Sequence, residues 1–177
     1  MEMPELERRH TTIMSADVVG YSRMMAENDV VTVRALLDVR ARVARLVDTF
    51  GGRIVDAVGD NMLAEFPSPA AALHCASLVQ ATLHERNRSC GVHSRVQFRI
   101  GLHSGSLIST RDSVFGDVVN VAARLQSQAH AGQVLMSYAV ADALPTRLHE
   151  RLIDRGAQRL KNIPYDVRAF ETRGMLE

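Results

Sequence analysis

Apolar residues recur along this chain in two periods, and the switches between them predict a mixed order of elements. "TTIMSADVV", Thr11 to Val19, is a β-prone apolar run that closes on an acid and then Gly20. It predicts a buried strand running into a loop, with Asp17 where the strand stops. Asn28 or Asp29 can cap the next segment, a helix with Val33, Leu36, Leu37, Ala44 and Val47 on one face, arginines opposite and Gly51-Gly52 after its end. Two short runs, Arg53 to Val58 and Met62 to Phe66, flank Gly59-Asp60-Asn61 and read as a hairpin. Ser68 caps a further helix on which Ala72, Ala76, Val79 and Leu83 share a face, and a polar loop runs from Asn87 to Ser94.

The second half repeats the mixture without repeating the sequence. In "VQFRIGLHSGSLIS", Val96, Phe98, Ile100 and Leu102 alternate on one strand face, and Ser104-Gly105 reads as a turn into a second strand. "GDVVNVAARLQSQAH" is helical, with Val118, Ala122, Leu125 and Ala129 along one side and Asn120 and Arg124 together on another. "QVLMS" reads as a strand, "YAVADAL" as a short helix ended by Pro145, and Arg151 to Phe170 as strand pieces around "LKNIP". Interleaved helices and hairpins place the chain in the α+β class, with a mostly antiparallel sheet covered on one or both faces.

Composition narrows the function classes. The 177 residues are 46% hydrophobic and 23% charged, the balance of one compact domain, expected to span 1–177 with a core of about 10–170. A net charge of +1 with scattered Lys and Arg gives no nucleic-acid footprint. "MEMPELERRH" lacks the apolar run of a signal peptide, so a cytoplasmic location is expected. The uncharged stretch between Glu65 and Glu85 carries prolines, histidines, serines and Gln80, so it reads as a buried helix and fails as a membrane span. Cys75 and Cys90 have no metal-ligand spacing and read as ordinary thiols.

The candidate chemistry starts from carboxylates. Asp17 is trailed by Val19-Gly20-Tyr21-Ser22, a loop whose amides suit an anion, especially if they open a helix. In "IVDAVGD" a second acid, Asp60, sits on the hairpin turn. If that hairpin neighbours the first strand, the two acids can hold two divalent cations of the kind phosphoryl chemistry uses. Taken alone, an Asp in a Gly-Asp-Asn turn is more often simply a turn residue.

The ordered set "SADVVGYS", "GGRIVDAVGDNMLAEF", "FRIGLHSG", "FGDVVNVAARL" and "LKNI" closely resembles the class III nucleotidyl cyclase domain, the catalytic fold of adenylate and guanylate cyclases. The resemblance runs from about His10 to about Phe170. It implies an extended ferredoxin-like β-α-β fold, a head-to-tail homodimer with sites at the interface, and conversion of ATP or GTP to the cyclic nucleotide and pyrophosphate with Mg²⁺ or Mn²⁺. By the same resemblance Asp17 and Asp60 match the metal-binding acids, Asn120 the residue that orients the ribose, and Arg124 the one that meets charge developing on phosphorus. Arg99 and Lys161 match cations that grip the terminal phosphates.

The departure lies at the base. Adenylate cyclases of the family carry lysine at position 56 and guanylate cyclases glutamate; this chain has Asp56, and the partner position is Ser113. A carboxylate accepts from guanine N1-H and N2-H₂, Ser113 can donate to O6, and a charged Asp56 repels adenine N1, which favours GTP. Asp56 is one methylene short of glutamate, so it can instead pair with an arginine or face water and leave base selection loose. Two other readings stay open: a cyclase-like module for nucleotide binding, dimerisation or regulation with little turnover, and a different ferredoxin-like two-metal nucleotidyl enzyme. "VNVAARL" and the lack of a Gly-Gly-Asp-Glu-Phe hairpin weigh against the latter. His103 in "GLHSG" reads as a strand-end histidine satisfied by hydrogen bonds.

Overall fold

A computed structural model describes residues 5–110 and 113–174, so the ends of the expected 1–177 domain lie outside the described residues. In chain order the elements are strand β1 (Glu7–Val18), helices α1 (Tyr21–Glu27) and α2 (Asp29–Thr49), strands β2 (Arg53–Asp56) and β3 (Met62–Phe66), and helix α3 (Pro69–Ser89). Then follow β4 (Phe98–Ser109), β5 (Val114–Phe115), α4 (Asp117–Gln128), β6 (Val134–Ser137), α5 (Tyr138–Asp142), α6 (Thr146–His149), β7 (Leu152–Arg159) and β8 (Asp166–Thr172). The strands form one sheet in the order β2-β3-β1-β4-β6-β8-β7, with β5 paired to β4. Only β4 and β6 run parallel among the described pairs.

Alternation along the strands sorts side chains between two helical layers. Met14, Ala16 and Val18 of β1 and Phe98, Ile100 and Leu102 of β4 join the core under α2, α3 and α5. Ile13, Leu63 and Leu107 face the other way, against Val118 and Ala122 of α4. Both faces are therefore covered. Asn28 caps α2 by accepting from the Val31 amide (3.0 Å), and Ser68 caps α3 through the Ala71 amide (3.1 Å), as their positions predict.

Several expectations change. On α2 the buried set is Thr32, Ala35, Leu36, Val39, Val43 and Val47, while Val33, Leu37 and Ala44 face solvent. Adjacent apolar residues such as Leu36-Leu37 offered two faces, and packing against the sheet selected one. The polar loop from Asn87 is instead the last turn of α3, to Ser89, followed by a 3-10 turn at Val92–Ser94. Ser104-Gly105 is no turn: β4 runs through it, with Ser104 opposite Thr12, and their hydroxyls bond at 2.7 Å. The cross-strand partner satisfies the polar group that suggested a turn. Cys75 and Cys90 are free thiols, and burial pushes the Cys75 thiol up to about 12.

Candidate active site

Strand parity aims Asp17. With Met14, Ala16 and Val18 committed to one core, Ile13, Ser15 and Asp17 must face α4, and Ser15 does bond Gln126 of that helix (3.2 Å). Across the ladder Asp17 is opposite Arg99, whose guanidinium takes both carboxylate oxygens, Nε to Oδ1 at 2.9 Å and Nη2 to Oδ2 at 2.6 Å. The Asp17 bonds, opposed by partial burial and helped by the charges of Asp17 and Asp60, raise the arginine's pKa above its ordinary value.

The hairpin brings Asp60 to the same strand end. β3 pairs beside β1, and Asp60 Oδ2 accepts the Val18 amide at 3.2 Å, one residue past Asp17. Arg40 of α2 pins the turn, donating to the carbonyls of Ala57 (3.1 Å) and Gly59. Sequence reasoning missed Arg40, reading the α2 arginines as a solvent face; only its spacing from the buried Leu36 and Val43 hinted at inward reach.

The segment after Asp17 opens a helix. Gly20 takes φ 70°, ψ 25°, a left-handed conformation favourable for glycine, and Tyr21 and Ser22 begin α1. Helix geometry leaves the first-turn amides without intrahelical acceptors. Val19 differs from expectation: its amide is already given to the Gln97 carbonyl at 2.8 Å, because the loop continues the strand pairing by one residue.

A second group of residues sits on α4. The helix packs directly on β4 at Gly101, where a Cβ would lie 2.2 Å from the Ala122 carbonyl oxygen and 2.4 Å from the Gln126 nitrogen. Val118, Val121, Ala122 and Leu125 are buried by this approach, which leaves Asn120 exposed and Arg124 half-exposed. Neither side chain makes a hydrogen bond or ion pair among the described residues. Lys161 is carried to the same helix by its neighbours: Leu160 and Ile163 bury against Val121 and Leu125, and Tyr165 donates to Asp117 at the start of α4. That bond, with some burial and the Asp117 charge, pushes the Tyr165 phenol up to about 12.

Asp56 and Ser113 are both exposed, and Asp56 pairs with no arginine among the described residues. A bulge after Ile54 brings Asp56 opposite Leu63, which packs on Val118, so Asp56 lies on the α4 side of the sheet, and Ser113 directly precedes Val114, which packs on the same cluster. Ser113 closes the loop from β4, with its amide on Thr110 Oγ1 at 3.1 Å. His103 lies inside β4 and not at a strand end; its Nδ1 meets Ser137 Oγ at 2.7 Å, and burial lowers its pKa to about 4.

The donors at the β1 end are oxygens. Among the described residues no three His, Cys, Asp or Glu side chains gather into a ligand cluster. Two neighbouring carboxylates suit a hard cation such as Mg²⁺ or Mn²⁺, which binds through one or two carboxylates and takes its other ligands from water or phosphate oxygens. Asp17 and Asp60 fit that pattern, with Arg99 as an internal competitor for the first.

The family described as the adenylate and guanylate cyclase catalytic domain matches residues 4–169. A Rhizobium meliloti (strain 1021) protein named as an adenylate cyclase is 33% identical over 169 residues, 94% of this chain. The chain spans 29% of the length of that relative and about half or less of the next curated ones. The solved structure of an adenylate/guanylate cyclase/hydrolase from Silicibacter pomeroyi is similar at TM-score 0.85 and 36% identity, covering 95% of this chain and 98% of that one. The adenylyl cyclase CyaB from P. aeruginosa shares the fold at TM-score 0.83 and 20% identity, over 98% and 100% of the two chains.

Proposed function

The chain belongs to the adenylate and guanylate cyclase catalytic domain family, and from that premise we propose that it converts a purine nucleoside triphosphate to its 3′,5′-cyclic nucleotide. In the reaction the ribose 3′-oxygen bonds to the α-phosphorus, the bond from that phosphorus to the β-phosphate oxygen breaks, and pyrophosphate leaves. The observation that carries the reading is the meeting of Asp17 and Asp60 at the end of β1, beside a helix-opening loop.

In this reading Asp17 and Asp60 hold Mg²⁺ or Mn²⁺, two ions in the full form of the mechanism. Cations bound there acidify the ribose hydroxyl and neutralise phosphate charge. The chain's own groups do the rest. Asn120 orients the ribose, and Arg124, half-exposed and without a side-chain partner among the described residues, places a guanidinium fork against charge developing on phosphorus. Lys161 and Arg99 grip the terminal phosphates, Arg99 by leaving Asp17. The amides of Gly20, Tyr21 and Ser22, next to Val19, cradle the phosphates.

The sites form between two copies of the chain. Arg99 reaches toward the Ser127 carbonyl at the end of α4, whereas Asn120 lies seven residues earlier on the exposed side of that helix, about 10 Å along its axis. A second copy docked head to tail supplies the Asn120 and Arg124 that one chain's Asp17 and Asp60 lack. Asp56, exposed and without an ion-pair partner among the described residues, is free to accept from guanine N1-H and N2-H₂, and the exposed Ser113 to donate to O6, which makes GTP the favoured substrate.

The test incubates the purified protein, concentrated to favour dimers, with ATP, GTP, CTP or UTP in Mg²⁺ and in Mn²⁺, and separates the products by chromatography. Cyclic GMP supports Asp56 and Ser113 as the base readers, and cyclic AMP means that Asp56 does not veto adenine. Nucleotide binding by a folded dimer with no cyclic product selects the regulatory module, which the closed Asp17 to Arg99 pair favours.

A further inference from the structure

A cavity of about 520 Å³ opens where the end of α1, the start of α2, the end of α3 and the turn at Val92–Ser94 meet, away from Asn120, Arg124 and Lys161. Its wall carries three guanidinium groups, from Arg23, Arg88 and Arg95, and two imidazoles, from His84 and His93. The acid lining it is Glu27, 3.9 Å from Arg23. Arg88 also meets Glu85 at 3.1 Å, but the side chains of Arg95, His84 and His93 make no hydrogen bond or ion pair among the described residues.

The amides lining the cavity are mostly committed elsewhere. Asn28 caps α2, and Asn87 exchanges bonds with the backbone of Val96 at 2.8 and 3.1 Å. What remains for a ligand is cationic. Three guanidinium groups round a concave site, with Glu27 the acid in its lining and Glu85 outside it, leave the wall net positive and focus positive potential into it, and guanidinium groups match phosphate oxygens in forked pairs. The volume falls in the range of small-ligand sites. Val19 and Gln97 also line the cavity, and the Val19 amide donates to the Gln97 carbonyl at 2.8 Å. An occupant therefore touches the start of the loop that runs from Asp17 into α1.

We propose that this cavity is a second anion site, for a small oligophosphate, and that its occupancy is transmitted to the Val19-Gly20 segment. It goes beyond the cyclase reading and does not depend on turnover. The ligand chemistry, a diphosphate or longer, can come from free pyrophosphate or from a nucleotide.

The experiment titrates the ¹⁵N-labelled full chain, in EDTA to suppress cation-assisted binding elsewhere, with inorganic pyrophosphate and separately with a nucleoside diphosphate. Saturable shifts of the Val19, Gly20 and Gln97 amides are expected. Affinity should fall at least about tenfold in Arg88→Ala/Arg95→Ala, both exposed positions, and stay unchanged in Lys161→Ala. Tighter binding of the nucleoside diphosphate assigns a nucleotide, and equal binding assigns the phosphates alone. Unsaturable shifts in the wild type, equal affinity in the double variant, or loss of binding in Lys161→Ala each overturn the proposal.

Discussion

Arg99→Ala removes one partner from the Asp17 pair and so tests whether that pair guards the cation site. The two guanidinium bonds are short, 2.9 and 2.6 Å, with the Asp17 side chain 18% exposed and the arginine 31%. Exposed pairs contribute up to about 1 kcal/mol, and stripping one partner from a buried pair costs about 3–5 kcal/mol. This half-buried, bidentate pair lies between, at about 2 kcal/mol. For a chain of this size the loss lowers Tm by roughly 4–8 °C. In the wild type a cation has to displace Arg99, so the same 2 kcal/mol, about 30-fold, separates the Mn²⁺ affinities of the two proteins, the variant binding tighter. Thermal unfolding of both in EDTA and across a Mn²⁺ series reads both effects without any assay of activity. The variant should start lower, respond at lower Mn²⁺ and close the gap on the wild type. Equal Tm values in EDTA, or Mn²⁺ curves that rise in parallel, would refute the competition between Arg99 and the cation.

Asp60→Asn should lower divalent-dependent cyclic nucleotide formation by at least about a hundredfold while far-UV circular dichroism stays unchanged, since the carboxylate's charge serves the cation. Mixing Asp17→Ala chains with Asn120→Ala chains should restore roughly a quarter of wild-type activity, because half the dimers are mixed and each keeps one intact site; confirmed heterodimers without activity would show that sites are not shared. Gly101→Ala drives a methyl into the α4 backbone, 2.2 Å from the Ala122 oxygen, and should cost about 3 kcal/mol or more in urea unfolding. His103 is held neutral by burial with a folded pKa of about 4, below its unfolded value. The unfolded chain therefore binds the proton first as pH falls, and this residue's share of stability, about 3 kcal/mol, is present above about pH 6.5 and lost by about pH 4. His103→Gln should flatten that part of the stability profile, and denaturant midpoints between pH 7 and 4 measure it.

Local chemistry was legible where a single residue decides it. Asn28 and Ser68 cap the helices that their side chains announce, the Gly59-Asp60-Asn61 turn joins two antiparallel strands, and Val118, Ala122 and Leu125 form the buried stripe of α4. The ordered motifs also named a family and fold that the comparisons bear out. Elsewhere the deciding partner was distant. The choice between Leu36 and Leu37 on α2 belongs to the sheet beneath, and the extended path through Ser104-Gly105 belongs to Thr11 and Thr12 on the neighbouring strand. Arg40 reads as a surface arginine until the β2–β3 turn is placed beside it. The Asp17 to Arg99 bond joins residues that the motifs had assigned to different tasks, one to a cation and one to phosphates. No periodicity carries information across 82 positions.

That separation governs the order in which the molecule can assemble. A chain synthesised as far as α3 holds β1, β2 and β3, and so already owns both Asp17 and Asp60. Yet one edge of β1 stays open, because its other neighbour, β4, begins only at Phe98. Until β4 arrives, the nascent sheet exposes unpaired backbone and the apolar face that α4 later covers, a template for wrong pairing between chains. Closing β1 against β4 and then β4 against parallel β6 demands long-range contacts, which form slowly. Arg99, arriving with β4, supplies the positive charge that the two acids lack while the chain is young.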